Sequence, residues 1–481
     1  MTAVQEMRPA PRAAGRKFRA YSAKHLDQLT ARAGLSAAER LAVRAVATVL
    51  PFRTNSYVVE ELVDWGTAPA DPIYRLVFPQ ADMLPGEDVE GIAGLLAAGA
   101  PEAEVRHAAH AVRMKLNPHP AGQLVLNVPT HRDKLLSGVQ HKYPETVLFF
   151  PKQGQTCHAY CTYCFRWAQF IGEPDLKMAS DDVEMLVDYL GEHREVTSVL
   201  FTGGDPMIIG EPVLRRYIEP LLDPRLDHLE SIRIGTKSLA YWPHRFVSDP
   251  DADDTLRLFE EVVRSGRNLA FMAHFSHPRE LEPPVVNQAV SRIIGTGAVI
   301  RTQAPLIRSI NDDPQVWAAM WRRQQRMGMV PYYMFVERDT GPQDYFAVTL
   351  ARGYEIFRDA YRSVSGLCRT VRGPSMSATP GKVCVDGIAE LSGQKVFVLH
   401  LIQARDPQLV GRPFFARYDP AAKWLTDLEP AFADRFPFEQ PADPGAVSGS
   451  PAAGAVLGPP DPAGVLGPPD PDPAIELRLP S

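Results

Sequence analysis

The sequence predicts an α/β protein: a partial (β/α)6 barrel with an N-terminal helical extension and a disordered C-terminal tail. Three features predict it. From about residue 145, short apolar runs alternate six times with helical stretches, the pattern of a parallel sheet with crossover helices. A loop with three cysteines, Cys157, Cys161 and Cys164, follows the first of those runs, at the strand end where barrels carry their chemistry. Beyond about Pro441 the chain is mostly Pro, Gly, Ala and Asp, with Val-Leu-Gly-Pro-Pro-Asp-Pro at 456–462 and again at 465–471. Such a segment cannot bury enough apolar surface to order itself.

In chain order, residues 1–17 are rich in Pro, Ala and Arg and read as a disordered lead. Residues 18–140 read as a mainly helical region. Within it, Ser36 followed three residues later by Glu39 makes a capping box, and Pro51 ends the helix that it opens. The stretch 52–83, broken by prolines, wraps over another element; further helical runs lie at 91–96 and 102–115. The barrel occupies 141–365. Its strands are expected at 147–150, 199–202, 232–235, 269–274, 299–304 and 331–336, with helices at 181–190, 211–221, 254–264, 285–294, 314–326 and 350–364. Residues 366–440 form a C-terminal region with β segments at 382–385 and 395–401, and 441–481 are the tail.

Composition narrows the function classes. Apolar content of 45% and charged content of 22% are near globular averages, so a large core is expected. A net charge of -6 gives no footprint for nucleic acid. Five cysteines, three of them clustered, fit a reducing cytoplasm better than a disulfide framework. No apolar run is long enough to span a bilayer, and the basic N-terminus lacks the apolar segment of a signal peptide.

Three thiolates so close in sequence can converge on one metal centre. An iron–sulfur cluster held by three cysteines keeps one iron open; a zinc knuckle needs a fourth ligand, for which His158 is the nearby candidate. The Cys157, Cys161, Cys164 spacing resembles that of radical S-adenosylmethionine (SAM) enzymes, in which SAM chelates the open iron. The second strand then runs into Gly203-Gly204-Asp205, an ordinary turn by itself. After such a loop it resembles the segment that holds the amino group of SAM.

Further segments resemble the lysine 2,3-aminomutase family over about residues 20–400: His141-Lys142-Tyr143-Pro144, Gly203-Gly204-Asp205, Arg233-Ile234-Gly235-Thr236, His274 to Pro278, Asn311-Asp312, and the stretch from Gly366 through Lys382. The resemblance implies a radical-SAM barrel with a 4Fe–4S cluster on Cys157, Cys161 and Cys164. It implies SAM beside Gly203, Gly204, Asp205, Tyr163, Gln303 and His274. It also implies pyridoxal 5'-phosphate (PLP) bound as an imine to Lys382, with its phosphate on Lys142 and Tyr143. Arg166 matches an arginine for the substrate carboxylate, a use that suits a planar fork. The implied reaction moves an α-amino group to Cβ in an amino acid. Flavodoxin or ferredoxin would be the electron donor, and a homo-oligomer the assembly.

Departures bear on substrate. Where lysine-specific members present two aspartates, this chain has Arg338 and Ser375, with Arg372 nearby, which favours an acidic or polar substrate. Thr146 replaces an arginine near the phosphate site, and the family's C-terminal metal-binding cysteines are missing. Other readings stay open. Lys382 could open a surface strand, His274 and His277 could be core histidines, and Asp339 or Glu337 could take over an aspartate's place. A protein-bound lysine could be the substrate. The chain could be a radical SAM enzyme without PLP, or a non-catalytic metal or electron-transfer protein.

Overall fold

The computed structural model describes residues 16–173 and 176–439. One compact unit ends at Phe438; the second, Glu439–Ser481, lies outside the described residues but for its first. The expected tail falls there, and most of the expected lead is likewise outside.

Eleven strands form one sheet, in which every neighbour in space is also the neighbour in sequence. We number them β1 (Val139–Tyr143), β2 (Thr146–Phe149), β3 (Ser198–Phe201), β4 (Ser231–Thr236), β5 (Asn268–His274), β6 (Val299–Leu306), β7 (Val330–Val336), β8 (Arg372–Ser377), β9 (Gly381–Leu391), β10 (Gln394–Ala404) and β11 (Pro413–Arg417). Strands β2 to β8 pair parallel; β1 and the β9–β11 meander are antiparallel. The parallel array therefore has one strand more than the sequence suggests. That strand, β8, carries Gly373-Pro374, residues that normally interrupt strands.

Helices fall where the apolar period places them, among them Val183–Glu192, Glu211–Ile218, Ala252–Arg264, Pro284–Gly295, Pro314–Arg326 and Leu350–Arg362. Their apolar faces join the strands in one large core; a smaller core, with Val383, Val385, Phe397, Leu399 and Phe414, underlies β9–β11. No helix among the described residues is long and apolar enough to cross a membrane.

Side chains of β10 and of its neighbouring turns reach β1 and the segment before it. Gln403 on β10 donates to Glu145 beside β1 at 2.7 Å, Lys142 of β1 donates to the Ala378 carbonyl, and Arg405 donates to the Leu126 carbonyl at 3.2 Å.

The N-terminal region has a specific use. Its capping box forms as the sequence indicates, with Ser36 Oγ accepting from Glu39 N at 3.3 Å and Glu39 Oε2 from Ser36 N at 2.7 Å. The stretch after that helix grips the cysteine loop. Tyr160 N donates to Arg53 O at 2.8 Å and Thr162 N to Leu76 O at 2.9 Å. Buried Asn55 donates to both the His158 and Tyr241 carbonyls. These bonds satisfy loop backbone that would otherwise be buried unpaired.

Candidate active site

The cysteine loop leaves the C-terminal end of β2. All three thiols are free and partly buried. Burial pushes the Cys164 thiol up to about 12 and raises Cys157 and Cys161 as well, with Asp205 adding to the effect at Cys157. A bound metal reverses this, since coordinating thiols are deprotonated. The spread of the thiols favours a cluster over a single ion. Sulfurs on one tetrahedral zinc sit about 3.8 Å apart, given zinc–sulfur bonds of about 2.3 Å. Among the described residues, the donor set that gathers within 4.8 Å is elsewhere, at Cys384, Asp386 and His400. Residue types and spread thus fit a three-cysteine cluster.

Gly203, Gly204 and Asp205 pack against this loop. A Cβ on Gly204 would lie 2.4 Å from the Thr156 carbonyl oxygen, and one on Gly203 2.3 Å from Gln155 Nε2. Gly204 is therefore required by close approach to the backbone of the cysteine loop, and Gly203 by its φ of +129°. Asp205 is buried and its carboxylate is saturated. It accepts from Met207 N, Thr236 Oγ1, Lys237 N and Ser238 Oγ, at 2.7 to 3.0 Å. It braces the turn after β3 to the turn after β4, and no lone pair is left over for SAM.

Two residues that sequence reasoning missed adjoin Cys161. Cys161 Sγ lies 3.6 Å from the Tyr241 hydroxyl. The Lys237 ammonium pairs with buried Glu280 at 2.7 Å and sits 4.6 Å from the Tyr241 ring centroid. Lys237 directly follows the quoted Arg233–Thr236 segment, which was the available signal.

His274 ends β5 and Gln303 lies beside it on β6, as their register requires. Gln303 Nε2 donates to His274 Nε2 at 2.7 Å, and burial depresses the imidazole to about 3, so it is neutral. Tyr163 is only 7% exposed, its hydroxyl bonded to Ser276 Oγ at 2.8 Å and its ring edge-on to Phe346. That leaves little ring face for adenine.

On the far side of the loop, cations gather. Arg166 lies 4.4 Å from the Phe150 ring centroid and 4.8 Å from that of Phe165, with Arg338 at 5.4 Å from the same Phe165 ring. Arg166 Nη1 and Arg338 Nε and Nη2 are buried without a hydrogen-bond partner. The one carboxylate paired with Arg338 is Asp339, at a long 3.8 Å. Burial raises the Glu337 carboxyl well above its ordinary value. Arg338 in turn faces Lys142 and Tyr143 of β1. Burial, then Arg405, Arg338 and Lys382, depress the Lys142 ammonium to about 6.

Lys382 opens β9 opposite Gln403 and donates to its Oε1 at 3.2 Å, with Nζ 4.2 Å from the Tyr333 ring centroid. Burial lowers it to about 8. It is thus no surface lysine. Arg233 of β4 also faces it and has an unpartnered Nε. Arg405 reaches Tyr143 and Lys142 from the end of β10. Arg405 was not singled out from the sequence, and Arg233 stood there only as part of the quoted Arg233–Thr236 segment, although an arginine in the middle of a buried parallel strand is a usable signal.

Ser375 does not join this group. It is fully buried, and its hydroxyl donates to the Met334 carbonyl of β7 at 3.5 Å, so it offers nothing to a substrate. His277 caps the turn at Pro278 through its Nδ1, a structural use.

No protein-family model matches the chain. A protein of Aquifex aeolicus provisionally named an L-lysine 2,3-aminomutase is 29% identical over 397 residues, covering 82% of this chain and 92% of that one. The L-lysine 2,3-aminomutase of Clostridium subterminale is 26% identical, covering 56% of this chain and 61% of its own. The glutamate 2,3-aminomutase of Clostridioides difficile is 24% identical, covering 48% and 51%. The chain thus spans between half and two thirds of these last two relatives. Among solved structures, a radical SAM methyltransferase from Sphaerobacter thermophilus aligns at a TM-score of 0.35 and 13% identity, over 60% of this chain and 93% of that one, a likeness too low to carry an argument.

Proposed function

The chain belongs to the lysine 2,3-aminomutase family of the radical SAM superfamily, a family of isomerases, and from that premise we propose that it moves the α-amino group of an acidic amino acid to Cβ. We read the parallel sheet as the family's partial (β/α)6 barrel, extended by β8. Cys157, Cys161 and Cys164 would hold a 4Fe–4S cluster. Gly203, Gly204, His274 and Gln303 would border SAM, with Asp205 and Tyr163 bracing the site from behind. Lys382, Lys142 and Tyr143, helped by Arg405, would hold PLP. When bound, the cluster supplies an electron, SAM a carbon-centred radical, and PLP an electron sink for the migrating nitrogen.

The observation that carries the proposal is the pair of buried arginines, Arg166 and Arg338, each with guanidinium nitrogens that lack a hydrogen-bond acceptor. Arg166 stands directly behind the cluster loop, and Arg338 reaches from Phe165 to Lys142 near Lys382. Buried guanidinium groups without partners are costly, and an anionic ligand relieves that cost. One fork would take the α-carboxylate and the other a side-chain carboxylate. A lysine side chain would bring a further cation beside these two arginines, where the carboxylate of Asp339 is already paired with Arg338. Around them, the aromatic rings of Phe150, Phe165 and Tyr333 exclude water, which protects a reactive radical from side reactions.

Protein purified anaerobically with PLP should show the visible absorbance of a lysine-bound cofactor. Lys382→Ala should lose it while iron content stays at the wild-type level. Wild-type protein that takes up no PLP would overturn the assignment.

A further inference from the structure

The hairpin that carries Lys382 holds a second cluster of metal-ligating side chains, remote from the cysteine loop in sequence and absent from the function described above. Cys384 of β9 and His400 of β10 face one another directly across the antiparallel ladder. Two residues after Cys384 the ladder shifts register: Val385 pairs with Leu399 and Gly387 with Val398, which leaves Asp386 as the extra residue of a bulge. Bulges re-aim side chains, and here the carboxylate swings toward the imidazole, with Asp386 Oδ2 2.6 Å from His400 Nδ1. A thiol, an imidazole nitrogen and a carboxylate oxygen all lie within 4.8 Å of one another. These three side chains border a cavity of about 400 Å³ shared with Phe357, Tyr361 and Arg372.

We propose that Cys384, Asp386 and His400 bind a divalent transition ion of the zinc class, with a fourth position open to that cavity. The donor set argues for zinc, which takes sulfur, nitrogen and carboxylate oxygen together, whereas calcium and magnesium take oxygen alone. Three protein ligands with one open position are the pattern of an accessible zinc site. Cys384 is buried while His400 and Asp386 reach the surface, so an ion has a path in. On binding, the Cys384 thiol gives its proton to solvent, and the ion replaces the hydrogen bond now linking His400 and Asp386. The bound ion ties β9 to β10 two residues beyond Lys382.

The test uses the full chain with Cys157, Cys161 and Cys164 all replaced by alanine, which removes the loop thiols as competing ligands. After incubation with one equivalent of zinc and gel filtration, about one zinc per chain should remain, and Cys384→Ser or His400→Ala added to that background should remove it. Cys384 is buried, so the surface substitution Asp386→Asn serves as a control for misfolding and should weaken zinc binding at least tenfold. In cluster-loaded wild type, the same substitutions should lower zinc and leave iron unchanged. Zinc absent from the parent, or retained equally in all three variants, would overturn the site.

Discussion

Lys142 shows how the pocket stores its need for an anion. An ordinary lysine titrates near 10.4. In the folded chain burial, and then Arg405 just past β10, Arg338 from beyond β7 and Lys382 from β9, lower Lys142 to about 6, and its ammonium donates to the Ala378 carbonyl. Between those two values the unfolded chain binds one proton more, so stability rises with pH, by about 1.4 kcal/mol per unit for one such group. Urea unfolding of the ligand-free protein at pH 6.5, 7.5 and 8.5 should show this slope. Lys142→Met should flatten it by about one proton's share; parallel slopes would contradict the placement. Arg338→Ala should lower kcat/KM for an acidic substrate about tenfold or more, the usual scale for a lost charged hydrogen bond, and leave iron content unchanged. The lysines and Arg166 were legible because each lies in a short motif. Arg405 was not, because it lies in no quoted motif and only the fold brings it in; Arg233 was quoted within Arg233–Thr236, but the motif gave it no role.

At the scale of elements, the turn after β3 acts as a wedge under the cysteine loop. Gly204→Ala would put a methyl group 2.4 Å from the Thr156 carbonyl oxygen, a backbone atom that cannot rotate away. Such overpacking costs about 1 to 3 kcal/mol. The displaced backbone leads directly to Cys157, so iron incorporation should drop several-fold; full iron loading with unchanged stability would show that the loop does not depend on this contact. At the helix starting at Ala37, Ser36→Ala should cost about 1 kcal/mol in urea unfolding, because the capping box is lost. The six expected parallel strands were readable to within one or two residues because apolar runs of that length have few other uses, whereas β9 runs to Leu391 and β10 to Ala404, beyond the expected 385 and 401. The role of Gly203-Gly204-Asp205 was readable only as a motif. Its physical reason, close backbone approach and a saturated carboxylate, depends on neighbours from β2 and β4. Ser375 was misplaced for the same reason, since sequence cannot say which side of β8 a residue faces.

Across the whole molecule, three regions distant in sequence meet at one site. The N-terminal region holds the backbone of the cysteine loop through Asn55, Arg53 and Leu76. The parallel strands present their C-terminal ends, and the β9–β10 hairpin closes back on β1 through Gln403 and Glu145. The cysteine loop follows β2 and Lys382 opens β9, far apart in the order of the sheet. The alternation of apolar runs and helices announced the parallel sheet, whereas the seventh parallel strand depended on tertiary contacts that no local pattern records. The most direct measurement is an anaerobic panel of glutamate, aspartate and lysine with dithionite, SAM and PLP, analysed for β-amino acid products. Turnover of an acidic amino acid, at least tenfold faster than lysine, is the expected outcome. Faster turnover of lysine, or deoxyadenosine released with no β-amino product from any of the three, would contradict it.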